Sequence, residues 1–132
     1  MGSNDVGKLI LRLTLGILLL LHGVHKILTG IAPIQAMVAA HHLPDFIAYF
    51  VYAGEVLAPL LIIVGVLTRI GGALIVANMI VAVALAGMGN LLLLNASGGY
   101  ALELEALYLF GGLAVMLLGA GRIAIMAEST LN

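Results

Sequence analysis

From residue 9 to residue 28 the chain is almost wholly aliphatic, and three further runs of the same kind follow at 46–67, 70–87 and 102–118. A helix that crosses the hydrocarbon core of a bilayer needs about 20 apolar residues, so the pattern predicts four membrane-spanning helices. The breaks between them are short. "TGIAPIQAMVAAHHLPDF" contains Pro33 and Pro44 and is too small to span; it reads as an interfacial loop with two helical turns. "GVLTRIGG" leaves room only for an antiparallel hairpin. "GMGNLLLLNASGGY" reads as a segment lying at the interface, with four leucines between glycines.

Composition sharpens this reading. With 64% hydrophobic and 8% charged residues, the chain cannot cover a soluble core with polar surface, whereas a lipid-facing exterior removes that need. The net charge of -1 gives no reason to expect nucleic acid. There is no cysteine, which excludes thiol–disulfide exchange within the chain, so a redox role requires a cofactor or a partner. A cleavable leader is the competing reading of the first thirty residues, but the apolar run is long for one and no A-x-A-like site closes it. The expectation is one integral membrane domain, 1–132, in a prokaryotic inner (plasma) membrane.

Lys8, Arg12, Arg69 and Arg122 fall near span ends on one side and Lys26 on the other, which predicts that both termini are cytoplasmic. Small residues at Ala73, Ala77, Ala82, Ala86, Gly111, Gly112, Gly119 and Gly121 let helix backbones approach, so the expected fold is an all-α, four-transmembrane-helix bundle.

Against this background the polar residues inside the spans are few. "HGVHK" closes the first span; His22 and Lys26 are four apart and share a helix face, with His25 adjacent to it. Glu55 lies about 15 Å along the second span from its outer entry, where an ionised carboxylate must be protonated, wetted or paired, and Lys26 is the nearest cation by depth. Pro59 cannot donate to the Glu55 carbonyl, which predicts a local kink. Asn78 sits mid-span, where an amide commonly joins helices. Glu103 and Glu105 are about 200° apart on a helix, so only one can face the bundle. The candidate site therefore comprises His22, His25, Lys26, Glu55, Asn78 and one of Glu103 and Glu105; the bland alternative is snorkelling side chains and satisfied polar tips.

These motifs together resemble the DoxX family. "LILRLTLGILLLLHGVHKIL" is similar to its opening helix, ending in Gly23-x-x-Lys26, and "GEVLAPLLIIVGVLTRIGGALIVANMIVA" to its second and third helices. "LELEALYLFGGLAVMLLGAGRIAI" is similar to its acidic fourth helix, with Ala120 in place of the usual proline of the closing turn. The resemblance covers nearly the whole chain and implies a four-helix membrane fold. It also implies association with quinol oxidation, thiosulfate:quinone oxidoreduction or membrane oxidoreductase complexes.

A quinone site needs hydrogen-bond donors and a proton route within lipid reach. Lys26 or a histidine could donate to a quinone oxygen while Glu55 relays the proton outward. Haem is not expected, because His22 and His25 share one helix and His41 and His42 lie in a loop. No metal is expected either: His25, Glu55 and Glu105 are conceivable ligands, but the Glu-x-x-His motif of di-iron bundles is absent. With no nucleotide fingerprint, the chain is not expected to complete an oxidation alone, but to act as an oligomer or with oxidoreductase partner subunits. The alternative is a membrane adaptor, an assembly subunit, or a carrier of a small solute or protons.

Overall fold

The computed structural model describes residues 2–127 and 130–132. The chain is all-helical, with 74% in helix and no strand among the described residues. Helix α1 spans Ser3–Thr29, and a short α2 spans Ala32–Ala40 with Pro33 in its first turn. Helices α3 (Asp45–Val64) and α4 (Thr68–Asn90) each change pitch along their length. A turn of α3 at Ala53–Leu57 and a turn of α4 at Val83–Gly87 are widened to π-helix. Helix α5 covers Glu103–Leu118.

Helices α1, α3 and α4 are long and apolar enough to cross a membrane. Helix α5 corresponds to the predicted span 102–118 but has 16 residues. Its rod of about 24 Å is shorter than the roughly 30 Å hydrocarbon core.

Helix α1 packs against α3 and α5, and α4 packs against the same two helices from the other side. Their shared core is Leu15 and Leu19 of α1, Ala58 and Ile62 of α3, Ile75 and Met79 of α4, and Tyr108 and Val115 of α5. The opposite faces expose Ile17, Leu21, Leu28, Leu107 and Leu117, an exterior suited to lipid rather than water. Helices α4 and α5 cross at paired glycines: an ideal Cβ on Gly72 would meet the Gly112 carbonyl oxygen at 2.6 Å, so neither position has room for a side chain. Helix α2 lies across the start of α3 and the widened turn of α4, over a second apolar cluster of Ile31, Val38, Ala48 and Val51.

The ends of α3 and α5 reveal what the basic residues do. The last carbonyls of a helix have no partner within the helix, and lipid offers none. At the end of α3, Leu61 O accepts from the N–H groups of Gly65 and Val66. Arg12 supplies the next two partners, with Nε donating to Ile62 O at 2.8 Å and Nη2 to Ile63 O at 3.2 Å. Val64 O and Gly65 O accept from the N–H groups of Ile125 and Met126, in the segment that returns beneath the helices after α5. Arg12 also holds that segment, donating through Nη1 to Ala120 O and Ile123 O at 2.9 and 2.7 Å. Arg69 repeats the device at the end of α5, donating to Met116 O and Leu117 O. Arg12, expected only as a basic residue near a span end, is 1% exposed and joins three parts of the chain.

Replacing Arg12 with Met should therefore leave four carbonyls without their donor and lower stability by about 3 kcal/mol or more, given ~1–3 kcal/mol per unsatisfied buried group. Arg69→Met should lose less, because Leu117 is exposed. Circular dichroism during titration with SDS from a mild detergent measures both; an Arg12→Met protein that unfolds at the parent's SDS fraction contradicts the assignment.

Candidate functional site

The polar cluster forms where α1, α3 and α4 meet. Lys26 lies near the end of α1, and its Nζ donates to both Glu55 carboxylate oxygens, at 2.5 and 2.6 Å. Asn78 of α4 donates through Nδ2 to Glu55 Oε2 at 3.3 Å. Glu55 is 5% exposed, whereas the Lys26 side chain is 26% exposed, so the carboxylate is the more deeply held partner.

Local backbone features bring these groups together. Pro59 has no N–H to offer the Glu55 carbonyl, and the helix widens just before it: Ala58 N–H reaches back to Ala53 O, closing the π turn that carries Glu55. The sequence predicted a kink here; the structure has a widened turn. Gly23 packs directly on the Glu55 carbonyl, and Gly54 on the Asn78 side chain, and in each case a Cβ would overlap its neighbour. The two glycines set how closely α1 and α4 approach the widened turn of α3.

Beside the cluster is a cavity of about 400 Å³, open on one side and bounded by α2, α3 and α4. Ile34 and Met37 of α2 cover it, Phe50 and Val51 of α3 and Leu74, Val81 and Leu85 of α4 form its walls, and Lys26, Glu55 and Asn78 supply its polar corner. An apolar chamber with a few convergent polar groups is the usual form of a small-molecule site. Both widened turns border it, through Ala53, Gly54 and Glu55 on one side and Leu85 and Ala86 on the other.

The remaining candidates lie elsewhere. His22 is exposed on α1 and its ring meets Tyr108 of α5 edge-on, with centroids 5.8 Å apart. His25 is exposed, and its carbonyl accepts the Thr29 hydroxyl at 2.8 Å. Glu103 is exposed beside Asn95, whose Nδ2 donates to Oε1 at 3.4 Å. Glu105 is half-buried in a separate groove between α4 and α5. The seven residues do not converge, because α1 has two neighbours: Lys26 reaches α3, whereas His22 reaches α5. The sequence reading missed the roles of Gly23, Gly54, Ile34 and Met37. Only the first two carried a signal, glycine next to the polar residues in helices that must pack closely.

The DoxX family profile matches residues 7–88, which include Lys26, Glu55 and Asn78. The chain belongs to the DoxX family. A relative from Bacillus subtilis (strain 168), named "Putative oxidoreductase CatD", is 32% identical over 107 residues, covering 81% of this chain and 79% of that protein. No solved structure matches the chain. As a DoxX protein with three helices fit to cross a bilayer, it is an integral membrane protein.

A double-mutant cycle tests how tightly the pair is coupled. Lys26→Met strands a buried carboxylate, whereas Glu55→Gln strands an ammonium that can reach water, so the first should be the more destabilising. The double variant should be more stable than Lys26→Met alone, with a coupling of about 1–3 kcal/mol. Additive losses would show that the ion pair contributes nothing of its own.

Proposed function

We propose that this DoxX protein is a membrane component of a quinone-linked oxidoreductase system, and that the cavity beneath α2 receives the quinone headgroup. The observation that carries the reading is the cavity's polarity: about 400 Å³ of apolar space ending at one corner made by Lys26, Glu55 and Asn78. The donor set fits the ligand. Lys26 uses two of its three donor directions on Glu55 and keeps one for an incoming oxygen. Asn78 has a second amide hydrogen beyond the one aimed at Glu55.

A bound quinone supplies two-electron redox chemistry in which its two carbonyl oxygens take up protons. The residues' part is to orient the ring, exclude water and handle protons. Lys26 donates a hydrogen bond to one oxygen, and Glu55 holds or releases the accompanying proton as its contact with Lys26 changes. The chain contains no cysteine, and its electrons pass to or from partner subunits. The name of the Bacillus subtilis relative, an oxidoreductase, agrees with this class of reaction.

The same reading includes the topology. Helix α5 makes a fourth crossing in the bundle, aided by apolar residues on either side of it. The end that carries Lys8, Arg12, Arg69 and Arg122 faces the cytoplasm of a prokaryotic cell. This leaves Lys26 and the cavity in the outer half of the membrane.

Gentle purification followed by lipid extraction and mass spectrometry tests the assignment. Near-stoichiometric quinone is expected with the parent chain, and at least a tenfold loss with Lys26→Met, Glu55→Gln or the cavity-filling Ala82→Phe. Absence of quinone from the parent, together with solute or proton flux in liposomes, would overturn the reading in favour of a carrier.

A further inference from the structure

The groove between α4 and α5 is separate from the Lys26–Glu55 cavity and has a volume of about 400 Å³. Its walls are apolar, formed in part by Val83 of the widened α4 turn, Leu109 and Phe110 of α5, and Leu91 and Tyr100 of the connecting loop. One charged residue lines it, Glu105 in the first turn of α5.

Three features define what can occupy it. Glu105 forms no hydrogen bond or ion pair among the described residues, in contrast to Glu103, which has Asn95. Neither α4 after Arg69 nor α5 carries a lysine or arginine, and His22 of α1, which meets Tyr108 one turn further along α5, makes no hydrogen bond to Glu105. Lys26 is already engaged by Glu55. The groove also opens among exposed apolar side chains, with Ile80, Met88 and Phe110 on its edges and Leu92, 93% exposed, in the loop beside it. An occupant that reaches Glu105 from this side must be soluble in lipid, and a half-buried carboxylate without a partner favours a cation that can also donate hydrogen bonds.

From this charge complementarity we propose that the α4–α5 groove is a binding site for an aminophospholipid, with the primary ammonium of an ethanolamine head on Glu105 and an acyl chain along Val83, Leu109 and Phe110. A primary ammonium carries three N–H donors for the carboxylate, whereas a choline head carries none. The proposal does not depend on the quinone reading, since Glu105 does not line that cavity.

The test uses the full chain, purified and delipidated in a maltoside detergent, and follows thermal unfolding after addition of dioleoyl phosphatidylethanolamine, phosphatidylcholine or phosphatidylglycerol. Phosphatidylethanolamine should raise the midpoint by roughly 4 °C or more above the effect of either other lipid. Glu105→Gln should remove that increment, as should the groove-filling Ala106→Phe, whereas Glu103→Gln should retain it. Equal stabilisation by phosphatidylethanolamine and phosphatidylcholine overturns the proposal, as does an undiminished increment in Glu105→Gln. Stabilisation by a simple long-chain alkylamine but not by phosphatidylethanolamine overturns the lipid assignment and leaves a site for lipophilic amines.

Discussion

The carbonyl groups at the ends of α3 and α5 have to find donors that neither the helix nor lipid supplies, and much of the structure answers that need. Arg12 reaches Ile62, Ile63, Ala120 and Ile123, and Arg69 reaches Met116 and Leu117. A guanidinium suits the task because it has five donors in a fixed fork and accepts nothing. No carboxylate neutralises Arg12 among the described residues; the carbonyl end of α3 and two carbonyls of the segment after α5 surround it instead. The segment after α5 completes the arrangement by donating from Ile125 and Met126 to Val64 and Gly65. At the end of α3 each carbonyl from Leu61 to Gly65 thereby has a donor, and the core beside it is built from apolar side chains and close glycine contacts.

At the other end of the same helices, the Lys26–Glu55 pair meets the requirement differently. Both charges come from side chains, and the pair lies beside a cavity instead of being closed over by the backbone. A buried ion pair is weak evidence for stability, because desolvation offsets much of the attraction. Its position says more: Gly23 and Gly54 give up side chains to admit it, and a proline-linked π turn carries its acid. Widened turns of this kind often occur at functional positions, and here one carries the buried carboxylate of Glu55 and borders the apolar cavity of α2, α3 and α4.

The sequence made the helices legible because lipid imposes one simple rule on their exteriors, and the apolar runs at 9–28, 46–67 and 70–87 match α1, α3 and α4 closely. The acid–base pair was legible too, since a carboxylate at the depth of Glu55 needs a partner and Lys26 was the cation at that level. What periodicity could not reveal was direction around each helix. His22 and Lys26 share a face of α1, yet that face spans two neighbours, and one residue goes to α5 while the other goes to α3. Arg12 looked like an ordinary marker of a span end, because hydropathy counts charges and does not say which carbonyls a guanidinium will find. Helix α2 could be anticipated as two turns, but its role as the cavity's cover depends on where the chain folds back.

The widened turn of α4 links these features. Pro59 accounts for the π turn in α3, but no proline follows Val83–Gly87 within the helix, so the second turn is held by its surroundings. Leu85 and Ala86 face the cavity beneath α2, while Val83 and Ala84 face the groove toward α5. One turn of backbone is thus the partition between an apolar chamber that ends at Lys26 and Glu55 and a groove that ends at Glu105. Packed interiors transmit strain because they have little free volume, and π turns of this kind are frequent at functional positions. The two spaces therefore share one wall, and a side chain enlarged at Val83 or Ala84 changes the groove while one enlarged at Leu85 or Ala86 changes the cavity.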